Sequence, residues 1–269
     1  MRNFEKWQGC GNDFVIIDAR KNFQLDEPKT IEKICDRHFG VGADGVIYIL
    51  NSDKADCRMR IFNADGSEPE MCGNGIRCFA KYLANEKNFD SLKVETGAGI
   101  LTVKVDENFV TVDMGEPIFD AEKIPVAGYG KNKVVAENIE VAGKIYKMTC
   151  VSMGNPHCVI FVDDISKIEL EKIGSLFENH EKFPRKTNTE FVQIIGENKL
   201  SMRVWERGSG ITLACGTGAC ASAVAANLNG LAGKISEVQL DGGNLKIEWA
   251  EDNHIYMTGA AEKVFSGIL

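Results

Sequence analysis

The motif Cys72-Gly73-Asn74-Gly75 returns in this chain as Cys215-Gly216-Thr217-Gly218, an offset of 143 residues given by the difference between 215 and 72. Other segments are related by the same offset: Gly11-Asn12 with Gly154-Asn155, and Met59–Asn63 with Met202–Glu206. A constant offset over several separated segments is not expected by chance. We therefore interpret the chain as two copies of one module, each about the size of a small domain.

The repeat predicts the domain boundaries in this chain of 269 residues. The N-terminal module takes residues 1–118 and the C-terminal module takes residues 119–261. The last residues, 262–269, lie beyond the second copy, and we interpret them as an extra strand that joins the N-terminal module. Pro117 and the segment 123–133 are predicted to form the linker, since proline and glycine recur there.

Short segments rich in Val, Ile and Phe, many with alternating polarity, predict half-buried antiparallel strands in both modules. They are 14–18, 45–50, 58–63, 99–105 and 109–114, then 158–162, 190–195, 201–206, 244–249 and 254–257. Segments 28–38 and 168–180 predict surface helices with one apolar stripe, formed by Ile31, Ile34 and Cys35 in the first and by Ile173, Leu176 and Phe177 in the second. Helices at 74–86 and 217–228 follow the repeated motif, and the second is small or apolar on nearly all sides. The predicted fold class is α+β, with two pseudo-symmetric domains that each wrap a mostly antiparallel sheet around a central helix.

Composition restricts the classes of partner. The net charge is −8 and the isoelectric point is near 5.2, which argues against nucleic acid and anionic membranes, because both need a basic surface. Residues 1–6 lack the apolar core of a signal peptide, and the apolar run 213–228 is too short to span a bilayer. Nine cysteines without an export signal predict a reducing, cytoplasmic location. No Cys-x-x-Cys pair and only four histidines occur, so no metal site is predicted.

Cys72 and Cys215 stand where each central helix is predicted to begin. A helix N-terminus presents unpaired N–H groups and a positive dipole end, so it stabilises a thiolate and can also bind a substrate carboxylate. Free cysteines are most often small buried hydrophobes, and we expect this role for Cys35, Cys57, Cys78, Cys150, Cys158 and Cys220. Cys10, in a glycine-rich turn, is left undecided. A thiol that recurs at equivalent positions favours chemistry over structure for Cys72 and Cys215.

Two such thiols suggest inversion of a stereocentre, which needs a base on one face and an acid on the other. No dinucleotide-binding pattern occurs, and no lysine stands out as a pyridoxal anchor, so no cofactor is predicted. A carbanion would then be stabilised electrostatically, by backbone amides at the helix starts.

Six motifs in order resemble the diaminopimelate epimerase family over almost the full chain. They are Gly11–Phe14, Gly40–Gly45, Asn63–Cys78, Gly154–His157, Thr187–Phe191 and Trp205–Gly218. The resemblance implies a cofactor-independent two-base epimerase that interconverts LL- and meso-2,6-diaminopimelate on the way to lysine and peptidoglycan. It also implies a homodimer whose small-molecule substrate is diaminopimelate.

The resemblance also assigns roles to residues. Cys72 and Cys215 are the acid and base, and His157 and Glu206 are catalytic residues beside them. Amides of Gly73, Asn74, Gly216 and Thr217 would bind the carboxylate at the reacting centre, with Asn12 as a further substrate ligand. Arg207 suits the distal carboxylate, because guanidinium binds it in bidentate fashion. Asn63, Asn155, Asn188 and Glu206 would bind the remaining groups of the distal end, although loop asparagines often serve only turn chemistry.

One position departs from the family pattern. Some members carry glutamine where this chain has Gly45, which the repeat places opposite Asn188. Gly45 is therefore not counted as a side-chain ligand.

Two other readings stay open at this point. A proline or hydroxyproline racemase shares the paired cysteines, but those enzymes tend to carry histidine where Asn74 stands and have no distal amino-acid head to recognise. A thiol redox or zinc-binding module would use Cys72, Cys215 and His157 without any enzymatic activity. Such a module would not need the polar groups suited to binding anions.

Overall fold

The computed structural model describes residues 2–21, 25–86 and 89–269. The α-helices of this part are α1 (Pro28–Cys35), α2 (Gly73–Glu86), α3 (Leu170–Glu178) and α4 (Gly216–Leu228), and a short 3-10 helix spans Ile165–Lys167. The strands up to residue 113 are β1 (Asn3–Gly9), β2 (Asn12–Asp18), β3 (Gly45–Leu50), β4 (Cys57–Asn63), β5 (Ser91–Thr96), β6 (Gly99–Val105) and β7 (Val110–Asp113). The later strands are β8 (Glu137–Val141), β9 (Lys144–Ser152), β10 (Pro156–Phe161), β11 (Asn188–Gly196), β12 (Lys199–Glu206), β13 (Gly210–Thr212), β14 (Ile235–Leu240), β15 (Gly243–Trp249), β16 (Ile255–Gly259) and β17 (Glu262–Ile268).

The chain forms two compact units. Unit 1 comprises Met1–Asp113 with Thr258–Leu269, and unit 2 comprises Met114–Met257. The module boundaries inferred from the repeat, 1–118 and 119–261, stay a prediction. Among the described residues, no helix is both long and apolar enough to cross a membrane.

Unit 1 is a sheet wrapped around α2. Its strands follow the order β17, β1, β2, β3, β4, β5, β6, β7, and neighbours are antiparallel except for the parallel pairs β2–β3 and β4–β5. Helix α2 contacts β1, β2, β3, β4, β6, β7 and β17, and it buries Ile76, Phe79 and Leu83 among them. Helix α1 covers β3 from outside with Ile31 and Ile34. Because strands surround it, α2 lies at the centre of its unit.

Unit 2 repeats this plan around α4. Strands β8 to β12 pair in chain order, β12 then pairs with both β13 and β14, and β14 pairs with β15. The pairs β10–β11 and β12–β14 are parallel. Helix α4 contacts β9, β10, β11, β12, β14 and β15, and ten of its residues are buried. The α+β class, with a mostly antiparallel sheet around a central helix in each unit, is confirmed.

The repeat reaches the level of strand register. Phe14 pairs with Gly45 in unit 1, and His157 pairs with Asn188 in unit 2, so both partners shift by 143 residues. The antiparallel pairs behave alike, since Ile47 pairs with Ile61 and Glu190 pairs with Val204. Two polar side chains, His157 and Glu190, therefore occupy positions that are apolar in unit 1.

Two predicted helices were too long. Helix α1 ends at Cys35 rather than His38, because the Asp36 carboxylate accepts hydrogen bonds from the backbone N–H groups of His38 and Phe39 and turns the chain. Helix α3 runs from Leu170 to Glu178 rather than from 168 to 180. It buries Leu170, Gly174 and Phe177, whereas Leu176, predicted on the apolar stripe, is 46% exposed.

The segment 123–133 is more than a linker. Ile124 and Val126 are buried in the core of unit 2, together with Ala121 and Val134 on either side of them. The prediction followed proline and glycine and overlooked these apolar residues, which anchor the segment through the hydrophobic effect.

Helix α3 packs closely on Trp205, the residue before Glu206 in β12. A Cβ atom built on Gly174 would lie closer to three atoms of the Trp205 ring than normal carbon contacts allow. The ring cannot easily move, because its Nε1 donates a hydrogen bond of 2.7 Å to Glu178 Oε2. Gly174 thus lets α3 approach the strand that carries Glu206.

We predict that Gly174→Ala lowers the free energy of unfolding by about 1–3 kcal/mol, the usual cost of forcing extra volume into a packed site. Gly196→Ala is the matched control, since a Cβ there would meet only Lys199 at 3.7 Å or more. Urea denaturation of both variants measures the difference. Equal stability of the two variants would contradict the close approach of α3 to Trp205.

Candidate functional site

Each central helix begins directly after one of the repeated cysteines. The Cys72 carbonyl accepts a hydrogen bond of 2.9 Å from the Ile76 amide, and the Cys215 carbonyl accepts one of 2.9 Å from Ala219. The Gly75 amide also lies 3.5 Å from Cys72 Sγ and donates to it. Both sulfur atoms therefore lie beside the first turn of a helix, where backbone N–H groups favour negative charge.

In unit 1, Cys72 meets two asparagines. Its sulfur lies 3.7 Å from Asn12 Oδ1, and Asn74 Nδ2 donates to the same oxygen at 3.2 Å. The Gly73 carbonyl accepts a hydrogen bond of 3.3 Å from the buried Arg77 guanidinium. The structure thus brings Cys72, Asn12, Gly73 and Asn74 together, and their roles in a site stay a prediction.

Asn63 has its own local partner. It ends β4 with an exposed side chain, and its Nδ2 donates to Ser67 Oγ at 2.9 Å. The backbone of Asn63 pairs with Gly45, and a Cβ built on Gly45 would lie 2.5 Å from the Phe62 carbonyl oxygen. A glutamine at position 45 would therefore require the backbone to shift.

A charged network that sequence reasoning missed supports Asn12. Asn12 Nδ2 donates to Asp44 Oδ2 at 2.7 Å, and Arg37 binds Asp44 at 2.7 Å and Asp13 at 2.8 Å. The buried Lys6 forms a further ion pair of 2.8 Å with Asp13. Burial alone would raise the pKa of Asp13, but hydrogen bonds and positive charge from Arg37 and Lys6 lower it to about 2.

In unit 2, a chain of hydrogen bonds leads from β11 to the start of α4. Glu190 Oε1 bonds His157 Nδ1 at 2.7 Å, and His157 Nε2 lies 2.9 Å from Asn155 Oδ1. Asn155 Nδ2 donates to Thr217 Oγ1 at 3.2 Å, and that hydroxyl lies 3.5 Å from Cys215 Sγ. His157, Asn155, Thr217 and Cys215 were each predicted as site residues from separate motifs, and the structure connects them through hydrogen bonds.

Glu190 is the member of this chain that the sequence did not single out. Its side chain is fully buried, and a Cβ built on Gly218 would lie 2.7 Å from its Oε1. The repeat carried a signal, because Glu190 aligns with the core residue Ile47 and His157 with Phe14. A buried carboxyl group is costly without partners, so such a substitution in a core position points to a functional role.

Glu206 is a second polar neighbour of Cys215, besides Thr217. Its carboxyl accepts a hydrogen bond from the Thr212 hydroxyl and also bonds the Cys215 side chain. Burial raises the pKa of Glu206 above its usual value. Burial likewise raises the pKa of Cys215 well above its usual value, and the negative charges of Glu206 and Glu190 raise it further. Cys215 is therefore held as a thiol in this environment.

Asn188 and Arg207 are connected to each other. The Arg207 amide donates to Asn188 Oδ1 at 2.9 Å, and Asn188 Nδ2 donates to the Pro156 carbonyl at 2.9 Å. The Asn188 side-chain amide is buried, and its two ends bond the backbone of Pro156, which precedes His157, and the backbone of Arg207. The Arg207 guanidinium donates to the Arg185 carbonyl at 3.3 Å.

The remaining cysteines are structural. Cys35, Cys57, Cys78, Cys150, Cys158 and Cys220 are all buried thiols, as predicted. Cys10, left undecided, is also buried; its φ is 54°, and its sulfur accepts a hydrogen bond of 3.5 Å from Arg77. Within the residues that the structure describes, no group of three His, Cys, Asp or Glu side chains is placed to hold a metal ion.

A family sequence pattern and curated relatives both match this chain, and they indicate the same family. The sequence pattern of the family described as diaminopimelate epimerase matches residues 4–119 and 149–264. The diaminopimelate epimerase of Synechocystis sp. is 53% identical over 273 residues, covering 98% of both chains. That of Desulfitobacterium hafniense is 53% identical over 274 residues, covering 98% of this chain and 96% of the other.

A solved structure shares the fold at low sequence identity. The phenazine biosynthesis protein of the PhzF family from Bacillus anthracis superposes with a TM-score of 0.69 at 20% identity, covering 100% of this chain and 99% of that one. At this identity the likeness shows the fold alone.

We predict that Glu206→Gln lowers the pH at which Cys215 becomes reactive. The substitution removes a negative charge that opposes the thiolate, so the pKa of Cys215 falls and the thiolate forms at lower pH. The measurement is the rate of iodoacetamide modification of Cys215 against pH, followed by peptide mass spectrometry. Glu237→Gln, which removes a half-buried carboxylate paired with Lys199 in unit 2, is the control. An unchanged or higher midpoint for Glu206→Gln would disprove the electrostatic coupling.

Proposed function

The chain belongs to the diaminopimelate epimerase family, and we propose that it interconverts LL-2,6-diaminopimelate and meso-2,6-diaminopimelate. The observation that carries this proposal is the recurrence of a cysteine at the start of the central helix in both units. The chain is an isomerase in this proposal, and Cys72 and Cys215 are its two proton carriers.

The proposed reaction is a proton exchange at one α-carbon. One cysteine, as thiolate, removes the α-proton and becomes a thiol, and the electron pair of the broken C–H bond remains on carbon. The other cysteine, as thiol, donates its proton to the opposite face and becomes a thiolate. The reverse reaction exchanges the two roles, which is why both thiols are needed.

The carbanion is stabilised by positive potential at the helix starts. We propose that the amides of Gly73, Asn74, Gly216 and Thr217 bind the α-carboxylate, since first-turn N–H groups have no partner within the helix. These donors are fixed by the helix before substrate arrives, so little reorganisation is needed when charge develops. Asn12 adds a polar contact beside Cys72.

His157 and Glu206 control the protonation around Cys215 in this proposal. Glu206 bonds the thiol and, as a carboxylate, opposes its ionisation. His157 is held by Glu190 on one side and Asn155 on the other, so its ring orientation is fixed. A fixed imidazole and carboxyl group keep the proton on sulfur until the carbanion takes it.

The distal amino-acid head of the substrate needs its own receptor. We propose that Arg207 binds the distal carboxylate, because a guanidinium forms two parallel hydrogen bonds with it. Asn188 supports this role, since its side chain holds the Arg207 backbone. Asn63, Asn155, Asn188 and Glu206 are proposed for the remaining oxygen and the distal ammonium group.

The wider context follows from the family. We propose that the enzyme acts without a cofactor, as a cytoplasmic homodimer, in the biosynthesis of lysine and peptidoglycan precursors. The nine cysteines, all of them thiols, support a reducing location. No nucleic acid or membrane partner is proposed, in keeping with the net charge of −8.

The alternatives raised by sequence have less support. Proline-type racemases have no distal head to recognise, and curated relatives more than 50% identical over nearly the whole chain are named diaminopimelate epimerase. A thiol redox or zinc module does not use the helix-start amides and Arg207.

We predict that reaction with LL-diaminopimelate in D2O places deuterium at one α-carbon as the meso isomer forms, because the incoming proton comes from a thiol that exchanges with solvent. Proton NMR and mass spectrometry, under reducing conditions, follow the label. A variant lacking both thiols, Cys72→Ala with Cys215→Ala, is the control for spontaneous exchange. Failure of the wild-type protein to form meso-diaminopimelate would refute the proposed function.

We predict that Cys72→Ala and Cys215→Ala each lower kcat for epimerisation by roughly a hundred-fold or more, since each removes the proton carrier of one face. The matched controls are Cys57→Ala in unit 1, whose charged neighbours are Asp56 and Arg20, and Cys150→Ala in unit 2, and both of these thiols are buried. Steady-state kinetics in both directions provides the measurement. A single catalytic variant with full activity would exclude the two-base scheme.

A further inference from the structure

The Asn12 side chain lies between two neighbours with opposite hydrogen-bonding character. On one side its Nδ2 is 2.7 Å from Asp44 Oδ2. On the other side its Oδ1 is 3.2 Å from Asn74 Nδ2 and 3.7 Å from Cys72 Sγ. The orientation of this one amide decides whether Cys72 faces a hydrogen-bond acceptor or a donor.

Asp44 settles that orientation. A carboxylate only accepts hydrogen bonds, so the Asn12 NH2 group must face it and the Asn12 carbonyl oxygen must face away. Asn74 agrees from the other side, because its Nδ2 donates to that oxygen. A flipped Asn12 would set oxygen against carboxylate and one NH2 group against another, and would lose both hydrogen bonds.

Asp44 is itself held firmly. Its Oδ1 accepts from Arg37 Nη2 at 2.7 Å, and its Oδ2 accepts from the Asp13 amide at 3.1 Å as well as from Asn12. Its own backbone amide donates to the Asp13 carbonyl at 2.9 Å. Asp13 in turn pairs with Lys6 and Arg37. The carboxylate that orients Asn12 is therefore fixed from several directions.

Unit 2 shows that the orientation is not a property of the fold. The residues equivalent to Asn12, Asn74 and Asp44 under the 143-residue repeat are Asn155, Thr217 and Thr187. There the amide nitrogen of Asn155, not its oxygen, faces the helix start, where it donates to Thr217 Oγ1 at 3.2 Å. Thr187 is buried and its hydroxyl donates to the Asn188 carbonyl. Unit 2 therefore has no equivalent of the Asp44 carboxylate, nor of the Asn12 carbonyl oxygen that this carboxylate turns toward the thiol.

We propose that Asp44 is a positioning residue for the epimerisation, because it holds Asn12 with its carbonyl oxygen toward Cys72. The inference rests on the proposed function of Cys72 as a proton carrier. A carbonyl oxygen accepts the S–H of the thiol and leaves the thiolate without a donor from this side. A flipped amide would donate to the thiolate and stabilise it, which makes it a weaker base toward the α-proton.

The test is a double-mutant cycle on kcat/KM for epimerisation, using Asp44→Ala, Asn12→Ala and the combined variant. We expect Asp44→Ala alone to lower kcat/KM by roughly ten- to a hundred-fold, the scale of a misplaced catalytic neighbour. In the Asn12→Ala background the same change should cost less than about threefold, because Asp44 acts through Asn12. Equal losses in both backgrounds, or no loss in either, would overturn the proposal.

Two further variants separate positioning from stability. Asp44→Asn keeps one side-chain oxygen that can accept from Asn12 and the Asp13 amide, so it should recover most of the activity lost in Asp44→Ala. Recovery of none would show that negative charge, not the orientation of Asn12, is what matters. Asp18→Ala removes a carboxylate that pairs with Arg20 at 2.7 Å elsewhere in unit 1, and it should leave kcat/KM unchanged. Loss of activity in Asp18→Ala equal to that in Asp44→Ala would attribute both losses to weakened folding.

The wild-type protein distinguishes this inference from the proposed function. Wild-type protein without epimerase activity would refute the function itself. Active wild-type protein with additive losses in the cycle would refute only the role of Asp44.

Discussion

The structure depends on one constraint, which is that a helix must begin inside the sheet that surrounds it. The first-turn N–H groups of α2 and α4 have no partners within their helices, and burying them would be costly unless other groups bond them. The chain meets this constraint with a cysteine before each helix and glycines in the first turn. Gly75 and Gly218 let neighbouring strands approach so closely that a Cβ would meet Ile61 at 3.0 Å in one unit and Glu190 at 2.7 Å in the other. The same first-turn amides that are costly to bury are suited to bind a carboxylate.

The two units support their cysteines with different polar groups. In unit 1 the strands beneath the helix start are apolar, with Phe14 and Ile47, and polar support comes from the surface network of Asp13, Arg37 and Asp44 around Asn12. In unit 2 the support is inside, where the buried pair of His157 and Glu190 takes the places of that phenylalanine and isoleucine. Replacing a buried polar pair by well-packed apolar residues is often neutral or even stabilising, so such a pair is retained for specificity or chemistry more readily than for stability. The proposed two-base reaction has a use for such asymmetry, since it requires one thiolate and one thiol when substrate binds.

Much of the fold was accessible from sequence because the repeat and the strand pattern are local signals. The alternation of Val, Ile and Phe located most central strands, and the small, apolar surface of α4 predicted its burial in a sheet. The errors occurred where local composition misleads. Segment 123–133 has the proline and glycine of a linker, yet Ile124 and Val126 bury themselves in unit 2. Leu176 fits an apolar stripe by spacing, yet α3 turns Gly174 toward Trp205 and leaves Leu176 exposed, because the ring lies too close for any larger residue.

By itself, the sequence determined the duplication, the two cysteines at helix starts and the family to which the chain belongs, since each is written in short motifs at a fixed offset. Only the tertiary structure decided which polar groups support those cysteines and how their amides point. Asn12 and Asp44 are 32 residues apart in sequence, and His157 and Glu190 are 33 apart. Parallel pairing of β2 with β3 and of β10 with β11 brings them together, and parallel strands always join residues separated by a long crossover. Hydrogen bonds act over about 3 Å of space whatever the distance along the chain, so these partners became visible only in the folded protein.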